Sequence, residues 1–294
     1  MLWGNRLNKV TRPVLRYRGG KWRMAPWIIS HFPKHKIYCE PFGGGASVLL
    51  RKLRSFAEIY NDLDGEVVNV FRILRDLEQA KKLLTLIQLT PYAREEYDLT
   101  FKKSNDPIER ARRTIARSFM GYSSDAATRK GRTGFRCGSR GTNAFTSQDW
   151  QNYPKYLIHA INRLQGVLIE NKSALEVIGK FDTSETLFYL DPPYLPETRY
   201  YAKGRECYRH ELTKEEHIEL SGRLMDLEGM VIISGYPSEL YDELYYDWSR
   251  DETETIGQAG NSKGSKKNTE VLWISPRAKK TLPLFEKVND DSSS

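Results

Sequence analysis

The chain is long enough to fold alone and carries an excess of positive charge. Its 294 residues include 46 Lys and Arg against 38 Asp and Glu, which gives a formal net charge of +8. This length suits one large α/β domain with a smaller inserted module, and we expect a monomer without an obligate protein partner. The charge favours a polyanionic partner, although many basic proteins bind no nucleic acid.

Cysteine, histidine and hydropathy patterns argue against several classes of protein. The three cysteines are widely spaced and form no CxxC pair, which argues against a disulfide framework and a zinc site. His31 and His35 lie four residues apart, but Pro33 weakens the helix that they would share, so we expect no metal. Neither a signal peptide nor a run of eighteen apolar residues occurs, so we expect a cytoplasmic protein without membrane contact.

The first part of the chain alternates strands and helices. Residues 37–42 form a predicted buried strand, residues 43–45 a tight turn and residues 46–53 a helix. A second strand at 57–60 precedes a helix at 64–77. Two strand–helix units in succession are typical of a parallel sheet.

The middle of the chain interrupts this alternation. Residues 79–162 contain three predicted helices, 80–89, 93–103 and 107–120, followed by a polar, glycine-containing segment, 121–146. We interpret this region as an insertion that splits the sheet-forming part of the sequence.

The alternation resumes after the insertion. Helices are predicted at 174–178 and 214–227, and strands at 167–170, 186–190, 230–234 and 270–275. Thr213 and Glu216 have the spacing of a capping box at the start of the second helix. A polar segment rich in Gly, Ser and Lys, 251–269, is predicted to be a loop, and the end of the chain, 281–294, a tail.

A glycine-rich segment, 42–47, lies where the first strand becomes a helix. Glycines let the backbone approach a ligand there, and helix N-terminal amides point at its polar groups. A turn without a ligand and a phosphate or dinucleotide site are the alternatives. Asp62 ends the next strand, where its carboxylate can accept hydrogen bonds from both ribose hydroxyls of an adenosine cofactor. The alternative for Asp62 is a cap of the following helix.

Asp191, Pro192, Pro193 and Tyr194 follow directly after an apolar strand. The two prolines fix the backbone and remove two amide donors, which leaves a rigid corner with free carbonyls. Asp191 and the carbonyl of Pro192 can each accept one N–H of an exocyclic amine, so that its nitrogen lone pair can attack a methyl sulfonium. Tyr194 would stack on the base. The alternative is a structural turn with a core tyrosine.

These motifs and their order resemble the Dam-like, alpha-group family of DNA N6-adenine methyltransferases, especially phage and prophage members, over about residues 15–276. The resemblance implies an α/β, Rossmann-like S-adenosylmethionine-dependent methyltransferase fold with a mostly parallel sheet and a helical target-recognition insertion. It implies a catalytic domain at 1–78 and 163–280, an inserted DNA-binding domain at 79–162 and a tail at 281–294. The implied reaction methylates an adenine flipped out of double-stranded DNA, with defined or relaxed sequence specificity and without a metal.

The resemblance also implies which residues bind the cofactor. Segment 16–21 (RYRGGK) resembles the family's first motif, so Tyr17 and Lys21 would approach the methionine end, with the Lys21 ammonium facing its carboxylate. Segment 40–47 (EPFGGGAS) resembles the second motif, and segment 169–171 the one beside the cofactor's adenine. The implied set comprises Tyr17, Lys21, Glu40, Phe42, Gly43, Gly44, Gly45, Ser47, Asp62, Glu170, Asn171 and Asp191.

One position departs from the family pattern. Many relatives have Phe-x-Gly-x-Gly, whereas here the last glycine is replaced by Ala46. An alanine costs little at the start of a helix if its φ is negative, so we expect cofactor binding to be retained.

Basic residues are concentrated in the second half of the insertion. Residues 101–141 contain 11 Lys or Arg against three acids. This bias predicts a phosphate-binding surface and a loop or hairpin, 118–140, that enters a groove; a solvated helix face is the alternative. A second basic and aromatic segment, 199–205, follows residues 191–194, which we call the catalytic corner. The predicted DNA-binding residues are Arg112, Arg117, Arg129, Lys130, Arg132, Arg136, Arg140, Arg199 and Lys203.

Two other functions remain open from the sequence. The acceptor of the methyl group could instead be cytosine N4, RNA or a protein amide, and Asp191 favours adenine by resemblance only. A DNA-binding protein that has lost the reaction is the second alternative, against which the intact Asp-Pro-Pro-Tyr segment argues.

Overall fold

A seven-stranded sheet forms the centre of the computed structural model, which describes residues 9–124, 126–129, 131–137, 146–199, 208–256 and 267–280. Its strands are β1 (Ile37–Glu40), β2 (Ala57–Asn61), β3 (Leu168–Glu170), β4 (Thr186–Leu190), β5 (Met230–Gly235), β6 (Ser249–Ile256) and β7 (Lys267–Ile274). The helices are α1 (Ala25–Ser30), α2 (Ser47–Arg51), α3 (Gly65–Arg75), α4 (Leu77–Leu89), α5 (Arg94–Leu99), α6 (Pro107–Met120), α7 (Thr146–Leu164), α8 (Ala174–Phe181), α9 (Lys214–Met225), α10 (Glu239–Leu244) and α11 (Pro276–Lys280).

The strand order is β3-β2-β1-β4-β5-β7-β6. Strands β1 to β5 are parallel, whereas β7 is antiparallel to both β5 and β6. The prediction of a mostly parallel sheet is therefore confirmed. The order reverses between β1 and β4, and in parallel α/β sheets ligands bind beyond the carboxyl ends of the strands at such a point.

The two faces of the sheet carry two separate hydrophobic clusters, because side chains alternate along each strand. One cluster includes Tyr38 and Tyr189 with residues of α3, α6 and α7. The other includes Cys39 and Phe188 with residues of α8 and α9. Both faces of the central strands β1 and β4 are therefore covered, which explains their continuous apolar sequences.

The helices of the middle region add no strand to the sheet. Helix α3 packs against α4, α6 and α7, and α5 packs against α6. Every strand in the described part of the chain lies outside residues 79–162. Helices α4 to α7 thus extend the molecule from the face that α3 covers.

Several elements differ from the sequence-based predictions. Both ends of the predicted loop 251–269 form strands, because β6 extends from 249 to 256 and β7 begins at 267. The residues between these strands and the predicted tail 281–294 lie outside the described residues. Helix α7 was not predicted, since it contains Pro154 and many polar residues. The capping box at the start of α9 is confirmed.

Candidate active site

One cavity of about 270 Å³ joins the glycine turn to the catalytic corner. The turn follows β1 and the corner follows β4, and these strands are parallel neighbours with Cys39 opposite Phe188. Their carboxyl ends therefore meet at the same edge of the sheet. Gly44 and Asp191 both line the cavity, as the proposed chemistry requires.

The turn needs glycine at two positions for different reasons. Gly44 has φ 47°, in the left-handed region that favours glycine. A Cβ atom at Gly43 would lie only 2.2 Å from the Tyr60 ring. The Tyr60 hydroxyl donates a hydrogen bond to the Gly44 carbonyl at 2.8 Å, which fixes the turn against β2.

The expectation for Ala46 is wrong in one respect. Its φ is 53°, so this alanine adopts the left-handed conformation directly before α2. A non-glycine residue pays a steric penalty of about 1 kcal/mol there. The rest of the turn and the buried methyl group hold it in place.

Asp62 supports the glycine turn and does not cap α3. Its carboxylate accepts hydrogen bonds from the amides of Gly44 and Asp64, each at 2.8 Å. The cap of α3 is Asp64, which accepts from the Glu66 amide. Burial raises the pKa of Asp62 to about 6, although the two amides lower it. A carboxylate has lone pairs for further donors, so Asp62 can still bind hydroxyl groups in the cavity.

Glu40 is another carboxylate that lines the cavity, and only 2% of its surface is exposed. Its Oε1 accepts hydrogen bonds from the Tyr38 hydroxyl at 2.6 Å and the Leu49 amide at 2.7 Å. Burial nevertheless raises the pKa of Glu40 to about 7. This side chain can therefore be neutral or anionic near physiological pH.

The catalytic corner is held by hydrogen bonds and an ion pair. Oδ1 of Asp191 accepts from the Ser234 hydroxyl at 3.0 Å and lies 3.0 Å from the Lys21 ammonium. The same ammonium lies 3.2 Å from Glu270 and 4.6 Å from the centre of the Tyr194 ring. Burial disfavours the charge on Lys21, but the two carboxylates outweigh it and raise its pKa. Here the ammonium faces carboxylates of the chain itself.

Ten of the twelve implied cofactor-binding residues line the cavity, together with Pro192, Pro193 and Tyr194. The other two, Glu170 and Asn171, are not among its lining residues. Glu170 instead pairs with Lys180 at 2.8 Å. The Asn171 amide donates to the backbone carbonyl of Asp62 at 2.8 Å, so Asn171 supports the Asp62 loop from behind.

Sequence reasoning missed several residues of the cavity wall, among them Thr128, Tyr208, Arg209, His210 and Tyr236. Arg209 joins two distant segments. Its guanidinium donates to Asp64 at 2.8 Å and to the Ala127 carbonyl at 2.9 Å. It therefore links the segment after α6 to the loop that carries Asp62, a long-range contact for which the local sequence holds no signal.

Two predicted DNA-binding arginines are buried in ion pairs, which corrects the prediction of a phosphate contact for Arg112. Arg112 is 6% exposed, and its guanidinium donates to Glu109, Glu96 and Thr90. The i,i+3 spacing of Glu109 and Arg112 was the available signal for this pairing. Arg199 is also 6% exposed and pairs with Glu211 in the cavity wall. Both form internal ion pairs and do not belong to an exposed phosphate-binding surface.

The remaining arginines lie on or near the segment after α6. Arg129 and Arg132 are exposed, and Arg136 is half-buried. Arg132 pairs with Asp98, and its guanidinium lies 4.4 Å from the centre of the Phe101 ring. Arg117 is half-buried and stacks on that ring at 4.6 Å. The other three predicted DNA-binding residues, Lys130, Arg140 and Lys203, lie outside the described residues.

In the part of the chain that the structure describes, no helix is long and apolar enough to span a membrane. The described ranges also contain no cluster of three or more His, Cys, Asp or Glu side chains arranged to bind a metal ion.

Comparison with known proteins identifies the family. The chain is similar to the type II methyltransferase M1.LlaDCHI of Lactococcus lactis subsp. cremoris, with 26% identity over 305 residues that cover 92% of this chain and 97% of the relative. It is also similar to the DNA adenine methylase of Escherichia coli strain K12, with 25% identity and coverage of 81% and 85%. The type II methyltransferase M.MjaIII of Methanocaldococcus jannaschii is 21% identical, with coverage of 80% and 88%.

The family model of D12 class N6 adenine-specific DNA methyltransferases matches residues 17–256. This range includes the glycine turn, the catalytic corner and six of the seven strands in full. The sheet described above is accordingly a Rossmann-like methyltransferase fold. With most of its length matched, the chain belongs to the D12 class of N6 adenine-specific DNA methyltransferases, and it is an enzyme that methylates adenine in DNA.

Proposed function

We propose that the methyl donor is S-adenosylmethionine and that the cavity binds it beside the target adenine. Two features support the fit. Gly43, Gly44 and Gly45 line the cavity without side chains, so a ligand can approach their backbone closely. Asp62 and Glu40 offer carboxylate oxygens, which suit the hydroxyls and the ammonium group of such a molecule.

In this proposal each part of the cavity has its own task. Asp62 and the glycine turn bind the nucleoside, while Tyr17, Lys21 and Glu40 surround the amino-acid end. S-adenosylmethionine supplies an electrophilic methyl group on its sulfonium. Asn171 acts through the Asp62 loop that it supports, and Glu170 is held in its ion pair with Lys180.

The catalytic corner would hold the target amine. Asp191 and the Pro192 carbonyl accept its two N–H groups, which weakens conjugation of the nitrogen lone pair with the purine ring. Tyr194 stacks on the extruded base. The single observation that carries this proposal is the shared cavity of Asp191 and Gly44, because methyl donor and acceptor must meet within van der Waals distance.

We further propose double-stranded DNA as the substrate and the cell interior as the place of action. An adenine in a duplex must be flipped out of the stack before its N6 can be reached. Residues 79–162 would form the DNA-recognition domain, and residues 1–78 with 163–280 the catalytic domain. Exposed Arg129 and Arg132 support this division, because they lie on the segment that also contributes Thr128 to the cavity.

Product analysis tests the proposal directly. Purified protein would be incubated with methyl-labelled S-adenosylmethionine and, separately, duplex DNA or RNA, followed by digestion and nucleoside chromatography. We expect label on N6-methyladenine from duplex DNA. Label on N4-methylcytosine would overturn the base assignment, and label from RNA alone would overturn the substrate. Sequencing of the methylated DNA would then define the recognition site.

A further inference from the structure

Glu270 is a buried carboxylate behind the catalytic corner. It lies on β7, the antiparallel strand beside β5, and it is 3% exposed. None of the family motifs in this sequence includes it, and it is not among the residues that line the cavity. A buried carboxylate is costly unless it is paired, so its partners are informative.

Both partners of Glu270 line the cavity. The Tyr194 hydroxyl donates a hydrogen bond to its Oε1, and the Lys21 ammonium lies 3.2 Å from the same oxygen. Lys21 in turn contacts Asp191 at 3.0 Å and lies over the Tyr194 ring. One carboxylate therefore holds, from outside the cavity, the aromatic ring and the cation that border the reacting groups.

We propose that Glu270 is a positioning residue for methyl transfer, which anchors the hydroxyl end of the Tyr194 ring and holds Lys21 between two carboxylates. This inference rests on the proposed function. Without the charge on Glu270, the Lys21 ammonium keeps Asp191 as its main partner and draws that carboxylate away from the amine. The Tyr194 hydroxyl then donates only to a neutral acceptor, and this weaker hydrogen bond lets the ring swing about the Cα–Cβ bond.

The electrostatics of the cluster support this reading. Burial raises the pKa of Glu270, and the ammonium of Lys21 opposes that rise. Two carboxylates share one ammonium, so the loss of either redistributes the remaining contacts. Displacement of a reacting group by about 1 Å can cost about 100-fold in rate.

The variant E270Q tests the proposal against the control E252Q, which removes an exposed carboxylate from the neighbouring strand β6. We expect E270Q to lower kcat for adenine methylation by about 10- to 100-fold while KM for S-adenosylmethionine changes less than about threefold. In a duplex with 2-aminopurine at a methylated position, we expect weaker quenching of the flipped base, since stacking on Tyr194 is loosened. E252Q should match the wild type in both assays.

A thermal melt would reveal whether E270Q has a folding defect. A second variant, Y194F, tests the same hydrogen bond without changing Glu270. Y194F keeps the ring but removes the hydroxyl that donates a hydrogen bond to Glu270, so this variant should also lower kcat. In the double variant, E270Q should cost less than it does in the wild type. A kcat within twofold of wild type for folded E270Q, or for Y194F, would overturn the inference and leave the proposed function intact. A wild-type chain that produces no N6-methyladenine would overturn the proposed function itself.

Discussion

Replacement of Glu40 by glutamine should stabilise the ligand-free protein at alkaline pH. Burial raises the pKa of Glu40 from 4.5 to about 7. Each pH unit of such a rise corresponds to about 1.4 kcal/mol, so the ionised side chain costs the folded state roughly 3 kcal/mol at pH 8. Glutamine has nearly the same shape, and its Oε1 can still accept from Tyr38 and Leu49. Hydrogen bonds to a neutral acceptor are weaker, so this magnitude is an upper bound.

The direction of the pKa shift determines how the stability difference between E40Q and wild type changes with pH. A carboxyl whose pKa is raised in the folded state contributes stability below pH 4.5 and loses it as pH rises through about 7. The advantage of E40Q over wild type should therefore be largest at pH 8 and should fall by more than about 2 kcal/mol at pH 5.

Urea unfolding of the ligand-free proteins at both pH values measures the difference. A gain of roughly 3 kcal/mol would also appear as a rise in Tm of roughly 6–12 °C at pH 8. The reasoning is refuted if E40Q is no more stable than wild type at pH 8, or if the difference is the same at both pH values. The exposed-site variant E252Q serves as the control.

Three other properties follow from the site and the surface. Because the pKa of Asp62 is about 6, the affinity for S-adenosylhomocysteine, measured by calorimetry, should fall about tenfold from pH 7.5 to pH 5. The variant Asp62→Asn should bind this molecule weakly and lose most of the pH dependence. A wild-type affinity that does not change with pH would contradict a role of Asp62 in cofactor binding. Ala46→Gly should change the free energy of unfolding by less than about 1 kcal/mol, since relief of strain offsets the lost methyl burial. The buried helical control Ala116→Gly should cost about 2 kcal/mol, and equal losses would argue against strain at Ala46. Arg129→Ala should weaken duplex DNA binding and reduce its salt dependence by about one ion. The control Lys36→Ala, at the amino ends of the parallel strands and thus opposite the cavity, should change neither. An unchanged salt dependence for Arg129→Ala would show that Arg129 does not contact DNA.

The central part of the fold could be predicted because its signals are local. An apolar strand followed by glycines or by Asp-Pro-Pro-Tyr marks a strand end, and parallel strands bring such ends to one edge of the sheet. The same rule explains why Asp191 and Gly44 line one cavity, although the strand order was not predicted. The sequence also indicated the insertion, because residues 79–162 lack strand signals.

The two elements that were not predicted, α7 and β6, have local sequence features that disfavour the structures they adopt. Helix α7 has Pro154 in its interior, although its Trp150, Tyr153 and Leu157 are buried at helical spacing. Strand β6 has charged residues at four of its eight positions, which an edge strand tolerates because one face and one side are open to water. Tertiary packing decided both elements against local preference.

The parts of the site that escaped prediction depend on long-range contacts. Glu270 belongs to a predicted strand, but its approach to Lys21 requires β7 to lie beside β5, which no local pattern specifies. Arg209 reaches Asp64 across 145 residues of sequence. Both side chains owe their positions to contacts between segments that are far apart in the sequence.

The role of Asp191 is tested most directly by a comparison of Asp191→Asn with Asp247→Asn, an exposed aspartate distant from the corner in sequence. Both variants would be assayed for N6-methyladenine formed on duplex DNA in a single turnover, with cofactor and DNA at saturating concentrations. We predict that Asp191→Asn binds both molecules but loses at least about 100-fold in rate, whereas Asp247→Asn retains the wild-type rate. A folded Asp191→Asn protein that methylates adenine at the wild-type rate would contradict the account.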